Sequence, residues 1–321
     1  MNLSRERLLR EAAATGFRPN VLEKVARMLA LLDGFNAHPF LKDKLALKGG
    51  TALNLFVFDV PRLSVDIDLN YVASADREGM MAERPKIEQA VVAVCEREGF
   101  QVRRVPTEHA GGKLMLRYQG ALGDNGNLEV DLNFLLRVPL LPVVNADSKP
   151  VGSFQATKIP VLDLHELAAG KLAALLARRA SRDLFDSYAL LGHNDLDPDL
   201  LRVLFVAYGG MNRNDWREVA VKNVDLDRRE VEEQLLPLLR GETRDVWEKS
   251  APALLSECRM RLKAVLPLRK NERRFLDRLL DEGDIEPTLL TDDAKLAERI
   301  AIHPALTWKA LNVKQHKKKG S

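Results

Sequence analysis

The stretch Arg62-Leu63-Ser64-Val65-Asp66-Ile67-Asp68-Leu69 decides how the chain is read. Asp66 and Asp68 alternate with Ile67 and Leu69, which is the period of a half-buried strand, so a strand is expected over 65–72. Its two carboxylates then leave one face while the apolar pair points into the core. The same alternation returns in Glu129-Val130-Asp131-Leu132. If the two strands are sheet neighbours, Asp66, Asp68 and Asp131 make an oxygen-rich face suited to Mg²⁺, a cation that keeps waters and takes further ligands from substrate phosphates. Upstream, the apolar run Leu45-Ala46-Leu47 ends at Lys48-Gly49-Gly50-Thr51, just before a helical turn. Backbone N–H groups of Gly49 and Gly50 with the Thr51 hydroxyl would cradle phosphate there. Arg62 and Ser64 bring a cation and a hydroxyl toward the acidic strand. Each feature also has a plain reading: acids on a solvated strand face, a tight turn, residues that start a strand.

Outward from this segment, helical spacing from Pro19 to Asp33 and a helix near Glu83 to Glu98 flank the strands. Further strands are expected at 100–105, 114–118 and 128–136, the last two joined by the turn-rich stretch 120–127. Residues 139–152 hold three prolines and read as an irregular connection or edge strand. From Asp163 onward helical patterning dominates, with Gly192 and Gly209-Gly210 as breakers. The fold class is therefore α+β, a small mixed sheet with helices over 1–160 followed by a helical domain over 161–321.

Composition agrees with two such domains. The chain has 321 residues, 49 Lys plus Arg against 46 Asp plus Glu, and 46% hydrophobic residues, enough for about two cores at roughly 150 residues each. Two cysteines, Cys95 and Cys258, make no disulfide framework and no zinc spacing. A reducing, cytoplasmic setting fits, and with no apolar leader or long apolar run neither secretion nor membrane insertion is expected. The net charge of +3 says little about partners, but Lys309, Lys314, Lys317, Lys318 and Lys319 with no acid in 301–321 would suit phosphates, or else a frayed, solvated end. Gly320-Ser321 has the look of an appended scar.

A second basic group lies in Lys171-Leu172-Ala173-Ala174-Leu175-Leu176-Ala177-Arg178, continuing through Arg182-Asp183 to Asp186. On one continuous helix Lys171, Arg178 and Arg182 would fall within about 20° of one line. They would offer a point cation and guanidinium forks to a nucleoside triphosphate, with Asp183 and Asp186 holding the arginines. A salt-bridged, solvated helix face is the alternative.

Taken together, Lys48-Gly49-Gly50-Thr51, Arg62-x-Ser64-x-Asp66-Ile67-Asp68, Lys113-x-x-x-Arg117, Asp131 and Lys171 through Asp186 resemble the AbiEii/AbiGii-type nucleotidyltransferase toxins of the polymerase-β-like superfamily. Residues 272–313, including 272–276, 279–281 and 303–309, resemble the tail of longer members. The resemblance implies a Mg²⁺-dependent transfer of NMP from an NTP to an acceptor hydroxyl, most simply at the 3′ end of tRNA, with a cognate antitoxin as partner. It implies two Mg²⁺ ions, Asp66, Asp68 and Asp131 as ligands, and Lys171 against the triphosphate. Gly49, Gly50, Thr51, Arg62, Ser64, Arg178 and Arg182 would bind phosphate, and Asp183 and Asp186 would support them. Rival readings are a related transferase acting on a protein or small molecule, a partner-binding protein on the same fold, and a metal-dependent phosphodiesterase.

Overall fold

The computed structural model describes residues 3–105, 111–178 and 180–320. Of the C-terminal residues singled out from the sequence, the side chains of Lys318 and Lys319 and the terminal Ser321 lie outside the described residues. The chain divides into two compact units, residues 1–137, 143–162 and 235–248 in the first, and 138–142, 163–234 and 249–321 in the second. Segment 235–248 therefore leaves the helical half expected for it. It does so through long-range pairing: Arg62 bridges Leu239, and the Leu63 N–H donates to the Leu238 carbonyl at 2.9 Å.

The first unit opens with α1 (Arg5–Thr15) and α2 (Pro19–Ala37), the latter starting on a proline whose missing N–H costs nothing at a helix start. Strand β1 (Leu45–Lys48) runs into the one-turn α3 (Gly49–Ala52), and β2 (Asp66–Tyr71) follows. Next come α4 (Arg77–Arg97), β3 (Gln101–Val105), β4 (Gly111–Gln119), β5 (Asn125–Asn133), β6 (Val144–Ala146) and β7 (Ile159–Val161). The seven strands form one mixed sheet in the order β3-β4-β5-β2-β1-β7-β6. β2 pairs parallel with β5 and antiparallel with β1. The alternation of acids and apolar residues is what the sheet uses: Ile67, Leu69, Leu128, Val130 and Leu132 are buried, as is the α2 face carrying Leu22, Val25, Met28 and Leu29. Burial of each such side chain contributes about 1.5–3 kcal/mol.

The second unit is helical, with α5 (Leu164–Ala177), α6 (Ser181–Leu190), α7 (Pro198–Gly210) and the later helices Lys270–Asp277, Ala294–Ile302 and Pro304–Gly320. Gly209 and Gly210 do not break α7 but form its last turn. A Cβ on Gly209 would sit 2.0 Å from the Trp216 indole, so the glycine admits the buried ring instead of ending the helix. Two buried carboxylates of this unit, Glu166 and Glu272, are well paired. Arg202 meets Glu272 at 2.7 Å and donates to the carbonyls of Ala264 and Pro267, and Glu166 accepts from the N–H groups of Leu140 and Leu141 and from the Tyr208 hydroxyl. Cys95 and Cys258 are buried free thiols, each pushed up to about 12 by loss of solvent. Among the described residues no helix is long and apolar enough to cross a membrane.

Candidate active site

The register of four strands assembles a single row of charges across the first unit's sheet. Lys48 on β1 stands opposite Asp68 on β2, Asp68 opposite Asp131 on β5, and Asp131 opposite Lys113 on β4. Opposed residues share a face, so two carboxylates on strands about 4.8 Å apart are bracketed by two ammonium groups. In the next row of the same face Asp66 stands opposite Glu129. The parallel pairing of β2 with β5 is what carries Asp131 onto the face of Asp66 and Asp68.

Electrostatics follow from this crowding. The Lys113 ammonium pairs with Glu129 at 2.5 Å, and that hydrogen bond, helped by Asp131 and Asp66, holds its pKa above the ordinary value despite some desolvation. The Asp131 carboxyl is raised above the usual carboxylate range. Loss of water around the carboxyl is the largest cause, Lys48 and Lys113 oppose it, and the negative charges of Asp68 and Glu129 add to it.

The Gly-Gly turn fits tightly against this row. Gly49 has φ +75°, and a Cβ there would lie 2.3 Å from Oδ2 of Asp68, so both the backbone and the space demand glycine. Gly50 is half-buried, and its carbonyl accepts from Nδ2 of Asn54 at 2.9 Å. Thr51, given to phosphate from the sequence, is fully buried, and its hydroxyl donates to the backbone carbonyl of Asp66 at 2.5 Å. It thus pins β2 beneath its first aspartate. Arg62 and Ser64 are also buried, at 2% and 7% exposure, and the Arg62 guanidinium donates to the Leu63 carbonyl at 3.0 Å.

In the second unit Lys171 lies on α5, Arg178 at its C-terminal cap and Arg182 in the first turn of α6. The single helix face drawn from sequence is therefore divided between two helices, because the backbone leaves helical geometry at Arg178 (φ −142°, ψ 61°). Asp183 and Asp186, expected to hold the arginines, both hold the lysine: Lys171 Nζ is 2.9 Å from each. Asp183 also takes Arg178 at 2.7 Å. Burial alone would push the Asp183 carboxyl up, yet Lys171 and Arg178 outweigh it and leave its pKa lowered. Removing one partner of so buried a cluster costs about 3–5 kcal/mol, against about 0–1 kcal/mol for an exposed pair such as Lys113–Glu129.

Lys48, Lys113, Glu129 and Asn70 belong to this face without having been assigned to it from the sequence. The period-2 signal that gave Asp66 and Asp68 reaches Asn70 and Glu129, but Lys48 and Lys113 join only through the register. Asn70 stands opposite Asn133 and is 1% exposed. Arg117, four pairs along β4 from Lys113, is exposed.

The donor set suits a hard divalent cation: carboxylate oxygens at alternate positions of neighbouring strands. Among the described residues no three His, Cys, Asp or Glu side chains gather around one point. Mg²⁺ makes no such demand, since it binds through one or two carboxylates and completes its shell with water and phosphate.

The family model described as "Nucleotidyl transferase AbiEii toxin, Type IV TA system" matches residues 30–281. The chain belongs to the AbiEii family. It is accordingly a nucleotidyltransferase and the toxin of a toxin–antitoxin system, which implies an NTP substrate and an antitoxin partner. Its fold is similar to that of MenT4, a nucleotidyltransferase toxin from Mycobacterium tuberculosis H37Rv, with a TM-score of 0.63 and 20% identity over 94% of this chain and 99% of that one. No curated protein sequence matches it.

Proposed function

We propose that this AbiEii protein transfers NMP from an NTP to the hydroxyl at the 3′ end of a tRNA, releasing pyrophosphate, with Mg²⁺ as cofactor. The observation that supports the reading is the pairing of Asp68 with Asp131 on adjacent strands, with Asp66 on the same face. Asp66, Asp68 and Asp131 would hold the metal, which would supply Lewis-acid stabilisation of the charge that develops on the reacting phosphate.

The chain's own residues do the rest. Gly49 keeps the Asp68 carboxylate in place by leaving it room, and Thr51 fixes the Asp66 backbone. N–H groups of the Gly49-Gly50 turn face the β and γ phosphates, and Asp131 accepts the proton of the acceptor hydroxyl. Lys171 takes charge of the triphosphate, Asp183 and Asp186 orient it, and Arg178 and Arg182 contact phosphates or acceptor. Arg62 and Ser64, both buried, serve the start of β2. An RNA end suits an enzyme that must dock a backbone without reading sequence.

Incubating the protein with each labelled NTP and Mg²⁺, in parallel with total RNA and with total protein, tests the reading. Label should enter tRNA and be released by trimming its 3′ end. Label on protein or small molecules alone transfers the chemistry to another acceptor, and no label anywhere contradicts it.

A further inference from the structure

We infer that Lys113 is a phosphate-binding residue of the nucleotide site, held by Glu129 until a triphosphate displaces that carboxylate. The inference rests on the nucleotidyl-transfer reading and names a cation that the resemblance did not assign to the substrate.

Two adjoining rows of one sheet face carry four carboxylates, Asp66, Asp68, Glu129 and Asp131, against the ammonium groups of Lys48 and Lys113 and, on the edge strand, the guanidinium of Arg103. A polyanion approaching that face needs fixed cations beside the carboxylates as well as any metal between them. Within the second unit, Lys171 is already set against Asp183 and Asp186, 2.9 Å from each, with all three side chains buried.

Lys113 is held differently. Its side chain is 39% exposed and that of Glu129 37%. Water screens such a pair, so a phosphate oxygen can take the place of the Glu129 carboxylate with little loss. Lys113 also stands directly opposite Asp131, the carboxylate that bridges to Asp68, which sets its ammonium beside the centre of the row. A lysine suits this exchange, since its three donors turn freely on a flexible stem and a phosphate oxygen replaces a carboxylate oxygen without a change of geometry. The exchange leaves Glu129 free to turn to solvent. No bond is made or broken.

The test measures binding of each NTP with Mg²⁺, and separately of inorganic pyrophosphate, by calorimetry on the full chain without acceptor. Wild type, Lys113→Met, Lys113→Arg and Glu129→Gln are compared, with the melting temperature of each. Lys113→Met should weaken NTP and pyrophosphate roughly tenfold or more, and Lys113→Arg should restore most of the affinity. Glu129→Gln should tighten both ligands severalfold because a competing anion is gone, and melting temperatures should scarcely move. Unchanged affinity in Lys113→Met overturns the inference. So does a Glu129→Gln variant that weakens binding as Lys113→Met does, since Glu129 would then be a ligand and not a competitor. A wild-type protein that binds no NTP defeats the nucleotidyl-transfer reading itself, whereas wild-type binding with an indifferent Lys113→Met defeats the lysine alone.

Discussion

A methyl group at position 49 would meet the Asp68 carboxylate at 2.3 Å on a backbone of φ +75°. Gly49→Ala should therefore displace Asp68, lowering the transfer rate by about a hundredfold for a stability cost of about 1–2 kcal/mol, measured by rate and melting together. Thr51 carries a different expectation, because its hydroxyl is buried against the Asp66 carbonyl. Thr51→Val removes that hydrogen bond and should cost about 0.5–1.5 kcal/mol, with Thr51→Ser largely restoring it. A Val variant with an unchanged melting temperature and a raised KM for NTP would return the hydroxyl to the phosphate. The carboxylates of β2 were legible at this scale since alternation is a local signal. The Thr51 hydroxyl was not, because its partner is a backbone atom fifteen residues away that only folding brings near.

At the scale of elements, the joint between α5 and α6 shows what patterning hides. No glycine or proline stands between Ala177 and Ser181, so Ser181 is the one local sign of a kink there. Across the break Asp183 meets both Lys171 and Arg178, an ion cluster that joins the two helices. β7 was hidden too, being three residues long with Pro160 at its centre, whereas β2 and β5 were plain from their acids. The ion cluster has a pH signature. The folded-state pKa of Asp183 is lowered, so its contribution is present above the unfolded value, about 3.9, and is lost as pH falls below it toward the folded value. Unfolding midpoints should drop over that acid window in the wild type and stay flatter there in Asp183→Asn. An equal slope in both would remove Asp183 from the account. Lys171→Met should slow transfer at saturating RNA by orders of magnitude and also lower the melting temperature, because it removes the ammonium that pairs with both buried carboxylates. A variant that loses only RNA affinity would assign Lys171 to the other ligand.

For the whole molecule, charge distribution separates what binds from what reacts. The net charge is only +3, yet the helix Pro304–Gly320 holds five lysines and no acid. Deleting residues 314–321 should raise the RNA concentration needed and flatten its dependence on salt, leaving the saturated rate unchanged, as expected for sequence-independent phosphate contacts. A changed saturated rate with an untouched salt dependence would contradict this. The central claim is that the face shared by β2 and β5 is the centre of nucleotidyl transfer, and the most direct measurement is the rate of labelled NMP transfer by Asp68→Asn beside the wild type, with melting curves of both. The account predicts a loss of at least about a thousandfold in rate with no fall in melting temperature, since the substitution relieves repulsion by Asp131. A folded Asp68→Asn protein that transfers at the wild-type rate would contradict it.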